Sequence, residues 1–208
     1  MKRLFVAIKV EPEQTLVETF ERFRKWFGKE NITWADAGNF HITLKFIGDT
    51  AEQEIPAIKS ALKKVAVQYA SFSLNIKGTG IFGSSYKPRV IWFGVEDPST
   101  TITALSRDIV GVLEEIGIAD DRQNFVPHLT MGRIKYLRFK KKLEEKINKF
   151  SEVDFQHCAV SSFYLYESEL GPDGPVYHIL EQYPLKGKRG TKAAMASIPW
   201  WKRLFKRA

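Results

Sequence analysis

A single cysteine, Cys158, occurs in the chain. That excludes an intramolecular disulfide and a cysteine-built metal cluster, and it fits a reducing compartment, the cytoplasm. Histidine is also scarce, at four residues, and no two of them stand at the i, i+4 spacing of a helical zinc site. No metal and no cofactor is therefore expected. Long apolar runs are missing: none could span a membrane, and Met1-Lys2-Arg3-Leu4-Phe5-Val6-Ala7-Ile8-Lys9 is too short an apolar stretch for a signal peptide. Acidic residues are absent from 186–208, which carry Lys186, Lys188, Arg189, Lys192, Lys202, Arg203, Lys206 and Arg207. With those eight set aside, 24 basic residues face 24 acidic ones, so the net charge of +8 belongs to the tail and residues 1–185 are formally neutral. A basic groove in that part would have to come from segregation of charge. At 44% hydrophobic and 27% charged, the chain has an ordinary soluble composition, and 208 residues are ample for a core.

What is present is a repeat. Phe40-His41-Ile42-Thr43-Leu44-Lys45-Phe46-Ile47-Gly48 has a counterpart in Phe125-Val126-Pro127-His128-Leu129-Thr130-Met131-Gly132-Arg133. Both contain His-x-Thr and an apolar residue in a strand-like alternation. Side chains on a strand alternate between faces, so His41 and Thr43 share one face while Ile42 and Leu44 share the other. His128 and Thr130 stand likewise against Leu129 and Met131. Upstream lie two apolar strands, each opened by an arginine: Arg3 precedes His41 by 38 positions, and Arg89 precedes His128 by 39. Between strand and motif each half carries an amphipathic helical pattern, over 12–27 and 99–117. A fixed offset of this kind reads as a duplicated unit that sets two His-Thr faces across one cleft.

The sequence resembles the 2H phosphoesterases, and within them the RNA 2′,3′-cyclic phosphodiesterases, also called prokaryotic 2′-5′ RNA ligases. The resemblance covers residues 2–185. It rests on Arg3 to Ile8, His41 to Gly48, Pro127-His128-Leu129-Thr130 with Arg133, and Leu165-Tyr166-Glu167-Ser168 followed by Gly174-Pro175-Val176-Tyr177. It implies a bilobal α+β fold, RNA ends bearing a 2′,3′-cyclic phosphate as substrate, and a 2′-phosphate product. It extends to tRNA halves joined through a 2′-5′ bond. It also matches Arg133 to an arginine of the family motif, and it favours His128 as base and His41 as acid, an assignment that the residues themselves leave open.

The rest of the chain supports an α+β architecture. The expectation is a pseudo-symmetric bilobal unit of two small antiparallel sheets facing a central cleft, helices outside, over residues 1–185, in a monomer. Residues 3–10 read as a buried strand. Leu16, Val17, Phe20, Phe23 and Phe27 form a core-facing helical stripe. Ile32 to Trp34 is a short extended piece, 49–66 a helix opened by acids, and 72–76 a strand. Residues 78–88, rich in Gly and Ser, read as a loop that could rim the cleft. Asp120 to Asn124 is a polar loop, 138–150 a helix with one apolar face, and 153–183 a strand region closed by a hairpin at Gly171-Pro172-Asp173-Gly174. Pro127 lacks an amide hydrogen, which puts it at the start or edge of its strand. His157 and His178 lack a threonine partner and read as structural, and Tyr166 and Tyr177 as core or rim residues.

Two imidazoles and two hydroxyls suit phosphoester chemistry without a metal. Imidazole titrates at roughly pH 6.5, so one ring can act as base while the other acts as acid. Thr43 and Thr130 would donate to the non-bridging oxygens, and Arg133 could hold phosphate in a fork. The alternative is a non-catalytic RNA-binding module using the same cleft. Two intact His-x-Thr copies argue against it, because docking needs no pair of titratable groups.

The tail reads as a flexible linker over 186–197 and a short amphipathic segment, Ile198 to Arg207. There Trp200, Trp201, Leu204 and Phe205 oppose Lys202, Arg203, Lys206 and Arg207. Such a face could make weak contact with an anionic membrane surface or with RNA. Turnover of a cyclic nucleotide is expected to survive EDTA; loss on chelation, restored by one divalent ion, would contradict the ligand count.

Overall fold

The computed structural model describes residues 1–119, 124–171 and 174–189. Its elements are β1 (Lys2–Lys9), α1 (Gln14–Trp26), β2 (Asn31–Trp34), β3 (His41–Thr50), α2 (Ile55–Ala66), β4 (Phe72–Gly83), β5 (Pro88–Glu96), α3 (Thr101–Glu114), β6 (His128–Tyr136), α4 (Lys140–Lys149), β7 (Asp154–Val160), β8 (Ser162–Gly171) and β9 (Gly174–Pro184). The class is α+β, as expected. The expected pseudo-symmetry is visible in the strand order, β7-β4-β5-β6-β3-β1-β8-β9. It reads the same from either end as two antiparallel quartets that meet at the motif strands.

The quartets join edge to edge into one curled sheet through a single matched position, Ile42 opposite Leu129. Beyond it β3 and β6 diverge, and β2 takes over that edge of β6, pairing Asn31 to Trp34 with Gly132 to Tyr136. This arrangement has a simple cause. Two lobes with unpaired motif strands would leave backbone N–H and C=O groups without partners beneath fully buried side chains, which is costly.

The helices all pack on the face that carries Ile42 and Leu129, and they cross over. α1 follows β1 of one quartet yet lies on the other: Phe23 meets Phe150, which in turn meets Phe155 of β7. The amide of Glu13 donates to Gln156 Oε1 at 2.8 Å. α3 follows β5 but packs on β3, where Ser106 Oγ donates to the Leu44 carbonyl at 2.7 Å. One continuous core therefore runs under both quartets. The helical stripe of α1 is its buried side, with Leu16, Phe20 and Phe23 at 1% exposure or less.

Two expectations change. Residues 78–83, read as loop, are strand: β4 continues to Gly83 and pairs with β5. The glycines that suggested a loop serve the strand. Gly78 takes a positive φ of 73° where the register shifts, and a Cβ on Gly80 would lie 2.1 Å from the Trp92 ring. Residues 186–189, assigned to the linker, are fastened to the fold. Gly187 N–H donates to the Tyr69 carbonyl, Lys188 and Arg189 to that of Gln68, and Ala70 N–H to that of Arg189. Gly187 permits this because a Cβ there would meet the Gln68 carbonyl carbon at 2.1 Å. Arg189 then reaches Asp108 at 2.7 Å, beside the Tyr69 hydroxyl that donates to the same carboxylate.

The expected amphipathic segment at 198–207, the polar loop at 120–123 and the Pro172-Asp173 turn lie outside the described residues, although Gly171 and Gly174 pair as the hairpin requires. Among the described residues no helix is long and apolar enough to cross a membrane. A chain ending at Leu185 should be less stable than one ending at Arg189 by about 1–2 kcal/mol, the net worth of a few hydrogen bonds after ordering costs. Urea unfolding of both truncations checks this; equal midpoints would mean that 186–189 contribute nothing.

Candidate active site

The register at the seam decides which face carries chemistry. Ile42 and Leu129 are directly opposed and both point into the core. Their neighbours His41, Thr43, His128 and Thr130 therefore all point to the other face of the sheet. In an antiparallel pair the residue before one partner faces the residue after the other. His41 thus stands beside Thr130, and Thr43 beside His128. The structure brings all four expected residues together on one open face, each half-buried.

Both histidines are held in the same way. His41 Nδ1 lies 2.7 Å from the carbonyl of Asn39, at the end of the single-turn 3-10 helix Ala37–Asn39. His128 Nδ1 lies 2.7 Å from the carbonyl of Val126, just before Pro127. A carbonyl only accepts, so Nδ1 carries the hydrogen in each ring and Nε2 is left as the basic nitrogen. Pro127 immediately precedes β6, as its missing amide requires. Aromatic rings fix the imidazoles further. Phe5 and Tyr177 lie 5.1 and 5.2 Å from the His41 ring, and Phe82 stands edge-on to His128 at 4.7 Å.

Burial lowers the pKa of both imidazoles below the ordinary value, the backbone carbonyls oppose this, and the Arg133 charge adds to the lowering. His41 itself lowers His128. The Tyr177 hydroxyl is raised by burial and pulled back by Arg133 and Arg3. Arg133 thus lies within electrostatic reach of both histidines and of Tyr177. His157 pairs with Asn75 at 2.8 Å and His178 with Glu169 at 3.4 Å, and neither accompanies a threonine. Among the described residues no three His, Cys, Asp or Glu side chains come together as a metal-binding group.

Sequence reasoning missed the aromatic wall. Phe5 and Trp92 sit in nearly continuous apolar runs, where alternation is masked, so nothing marked one face as cleft. Tyr177, read as core or rim, packs against His41. The signal available for it was its place in the last of the four family-like stretches.

The family model described as LigT like Phosphoesterase matches twice, over residues 6–92 and 94–177, one match for each half of the repeat. A protein of Methanocaldococcus jannaschii named RNA 2′,3′-cyclic phosphodiesterase is 32% identical over 181 residues, covering 87% of this chain and 99% of that one. One of Thermotoga maritima with the same name is 35% identical over 190 residues, covering 89% and 96%. Among solved structures, TT0787 of Thermus thermophilus superposes with a TM-score of 0.75 at 28% identity, covering 90% of this chain and all of that one. E. coli LigT complexed with 3′-AMP shares the fold, with a TM-score of 0.66 at 22% identity, covering 88% and 98%.

The depressed imidazoles couple stability to pH. A folded-state pKa below the unfolded one means that the unfolded chain binds more protons. The associated stability is full above roughly pH 6.5, the unfolded histidine value, and is lost as pH falls through the folded pKa. Urea unfolding at pH 7.5 and pH 5 should therefore show a smaller acid-induced loss in a His41→Gln/His128→Gln double variant than in the parent chain. An equal loss in both would mean that these rings are not depressed.

Proposed function

This chain belongs to the LigT-like phosphoesterase family, and on that premise we propose that it opens 2′,3′-cyclic phosphates at RNA ends to 2′-phosphates, with His41 and His128 as the acid–base pair. The observation that carries the reading is the matched pair of rings, each with Nδ1 on a backbone carbonyl and Nε2 left basic, on one face of adjacent strands. Both imidazoles are depressed, so they are largely neutral near pH 7 until an anion arrives. A bound phosphate favours the imidazolium of whichever ring acts as acid.

The steps follow from that arrangement. One Nε2 takes a proton from water as the water oxygen attacks phosphorus. The bond from phosphorus to the 3′-oxygen breaks, and the other imidazolium delivers its proton to that oxygen. The product is a 2′-phosphate with a free 3′-hydroxyl. Thr43 and Thr130 donate hydrogen bonds to the non-bridging oxygens, and the Arg133 guanidinium balances their charge. With the 5′-hydroxyl of a second RNA end in place of water, the same acid–base pair supports 2′-5′ joining of RNA ends such as tRNA halves.

His41→Ala and His128→Ala should each lower turnover of a 2′,3′-cyclic nucleotide by about 10²–10⁴-fold, the usual worth of a general acid or base. Thr43→Ala and Thr130→Ala should cost roughly tenfold, about one hydrogen bond. Near-normal turnover in either histidine variant, with the fold intact by circular dichroism, would refute the paired mechanism. The pH dependence of kcat/KM reports the free enzyme. Both free-enzyme pKa values are depressed, and the acid must hold its proton, so activity falls as pH rises past them. A bell with its optimum below roughly pH 6.5 is expected; a profile with a single ionisation would leave one histidine outside the proton transfers.

A further inference from the structure

The last described residues gather charge of one sign on the helix side of the molecule. Residues 186–189 run along the end of α2, where Gly187 N–H donates to the Tyr69 carbonyl and Lys188 and Arg189 N–H to that of Gln68. Gln68 lies one turn beyond Lys64, and its Nε2 donates to the Lys64 carbonyl at 3.0 Å. α3 completes the patch: Arg189 reaches Asp108 at 2.7 Å, and Arg107 reaches the same carboxylate at 3.4 Å. Lys63, Lys64, Arg107, Lys186, Lys188 and Arg189 are all exposed. Residues 55–70 and 182–189 contain no acid, and Asp108 is the one acid of residues 101–113. That carboxylate is already engaged by Arg189 and by the Tyr69 hydroxyl. Among these cations, between Lys64 and Gln68, stands Val67, 60% exposed.

Outside the described residues the sequence continues the same pattern. Residues 190–208 add five basic residues and no acid, with Trp200, Trp201, Leu204 and Phe205 at i, i+4 spacing. Like charge disfavours a return of this segment onto the patch, so the two fit one shared anionic partner. The eight residues 190–197 between them reach at most about 28 Å when extended, which keeps both on one small area of that partner. Cations against Trp, Leu and Phe are the composition of a segment that lies in a bilayer interface. A weak apolar anchor of this kind holds when a second, polybasic signal joins it. Nucleic acid matches the cations but offers nothing to cover Val67 and Leu204. The fold separates the patch from the cleft as well. α2 and α3 pack on the core face of the sheet, while the four motif side chains stand on the other face.

We propose that this helix-side patch, from Lys63 and Lys64 of α2 to Arg189, docks on the surface of an anionic lipid bilayer, with Trp200, Trp201, Leu204 and Phe205 set into the interface beside it. The contact is peripheral, since among the described residues no helix is long and apolar enough to cross a membrane. Held by its helix side, the molecule keeps the cleft open to solution. The patch supplies the salt-sensitive attraction, and the apolar side chains of the tail supply the hold.

The test is co-sedimentation of the full chain with vesicles of phosphatidylcholine and phosphatidylglycerol in equal parts, beside vesicles of phosphatidylcholine alone. Filter binding of a single-stranded RNA without a cyclic phosphate is the comparison. Binding to the anionic vesicles is expected, weakening as salt rises, with little on phosphatidylcholine alone. A Lys63→Gln/Lys64→Gln variant should bind them about tenfold more weakly or worse, since each cation near such a surface is worth roughly fivefold. A Trp200→Ser/Trp201→Ser variant should lose about tenfold by removal of apolar surface from the interface. Neither pair should change the affinity for RNA. Absence of vesicle binding, equal binding to both lipid compositions, or undiminished binding in either variant would overturn the proposal. So would a parallel loss of RNA affinity in the variants, which would make the helix side an RNA surface. No readout here involves turnover, so failure of the docking surface leaves the Proposed function untouched.

Discussion

Ile42 lies opposite Leu129, and the rest of the site depends on that one pairing. Both side chains are fully buried, so the register at the seam cannot slip by one residue without turning apolar groups to solvent and imidazoles into the core. Removing either side chain would cost about 2–5 kcal/mol by the usual cavity penalty. The seam thus converts a hydrophobic constraint into the placement of two histidines and two threonines on the opposite face. Because β3 and β6 stay paired at one position only and then part, with β2 filling the vacated edge of β6, the same contact also lets the two walls splay into a cleft.

The crossed helices hold the walls at that opening. α1 leaves one quartet to pack on the other, and α3 does the reverse, through Phe23 with Phe150 and through Ser106 with Leu44. Neither quartet can then bury its apolar face without helices belonging to both halves of the repeat. The cleft sits over a shared core, which makes its geometry a property of the whole chain. The rings of Phe5, Tyr177 and Phe82 complete the arrangement by lowering the polarity around the imidazoles, and burial there is what depresses their pKa.

Much of this was legible in the sequence because period-two alternation survives in the motif strands. His41 and Thr43 against Ile42 and Leu44 read directly as two faces, and the repeat announced a pseudo-symmetric α+β unit. The alternation is hidden where both faces are apolar or aromatic, as in β1 and β5, so Phe5 and Trp92 could not be assigned to the cleft. Glycine misled twice for one reason. At Gly80 and Gly187 it makes room for a close neighbour, the Trp92 ring and the Gln68 backbone, whereas sequence alone suggests a loop or a linker. The helix exchange and the seam itself were beyond reach, since both depend on contacts between residues far apart in the chain. Arg133 was legible only through family resemblance; its place near both histidines comes from the fold.

The central claim is that two equivalent imidazoles, depressed by burial and set on one face, act as a pair upon a phosphate. An NMR titration of the His41 and His128 ring carbons, in the free chain and with 2′-AMP bound, tests it most directly. Both rings should titrate below roughly 6.5 in the free protein, and at least one should move upward when the phosphate occupies the cleft. Ordinary pKa values in the free protein that ignore the ligand would contradict the account.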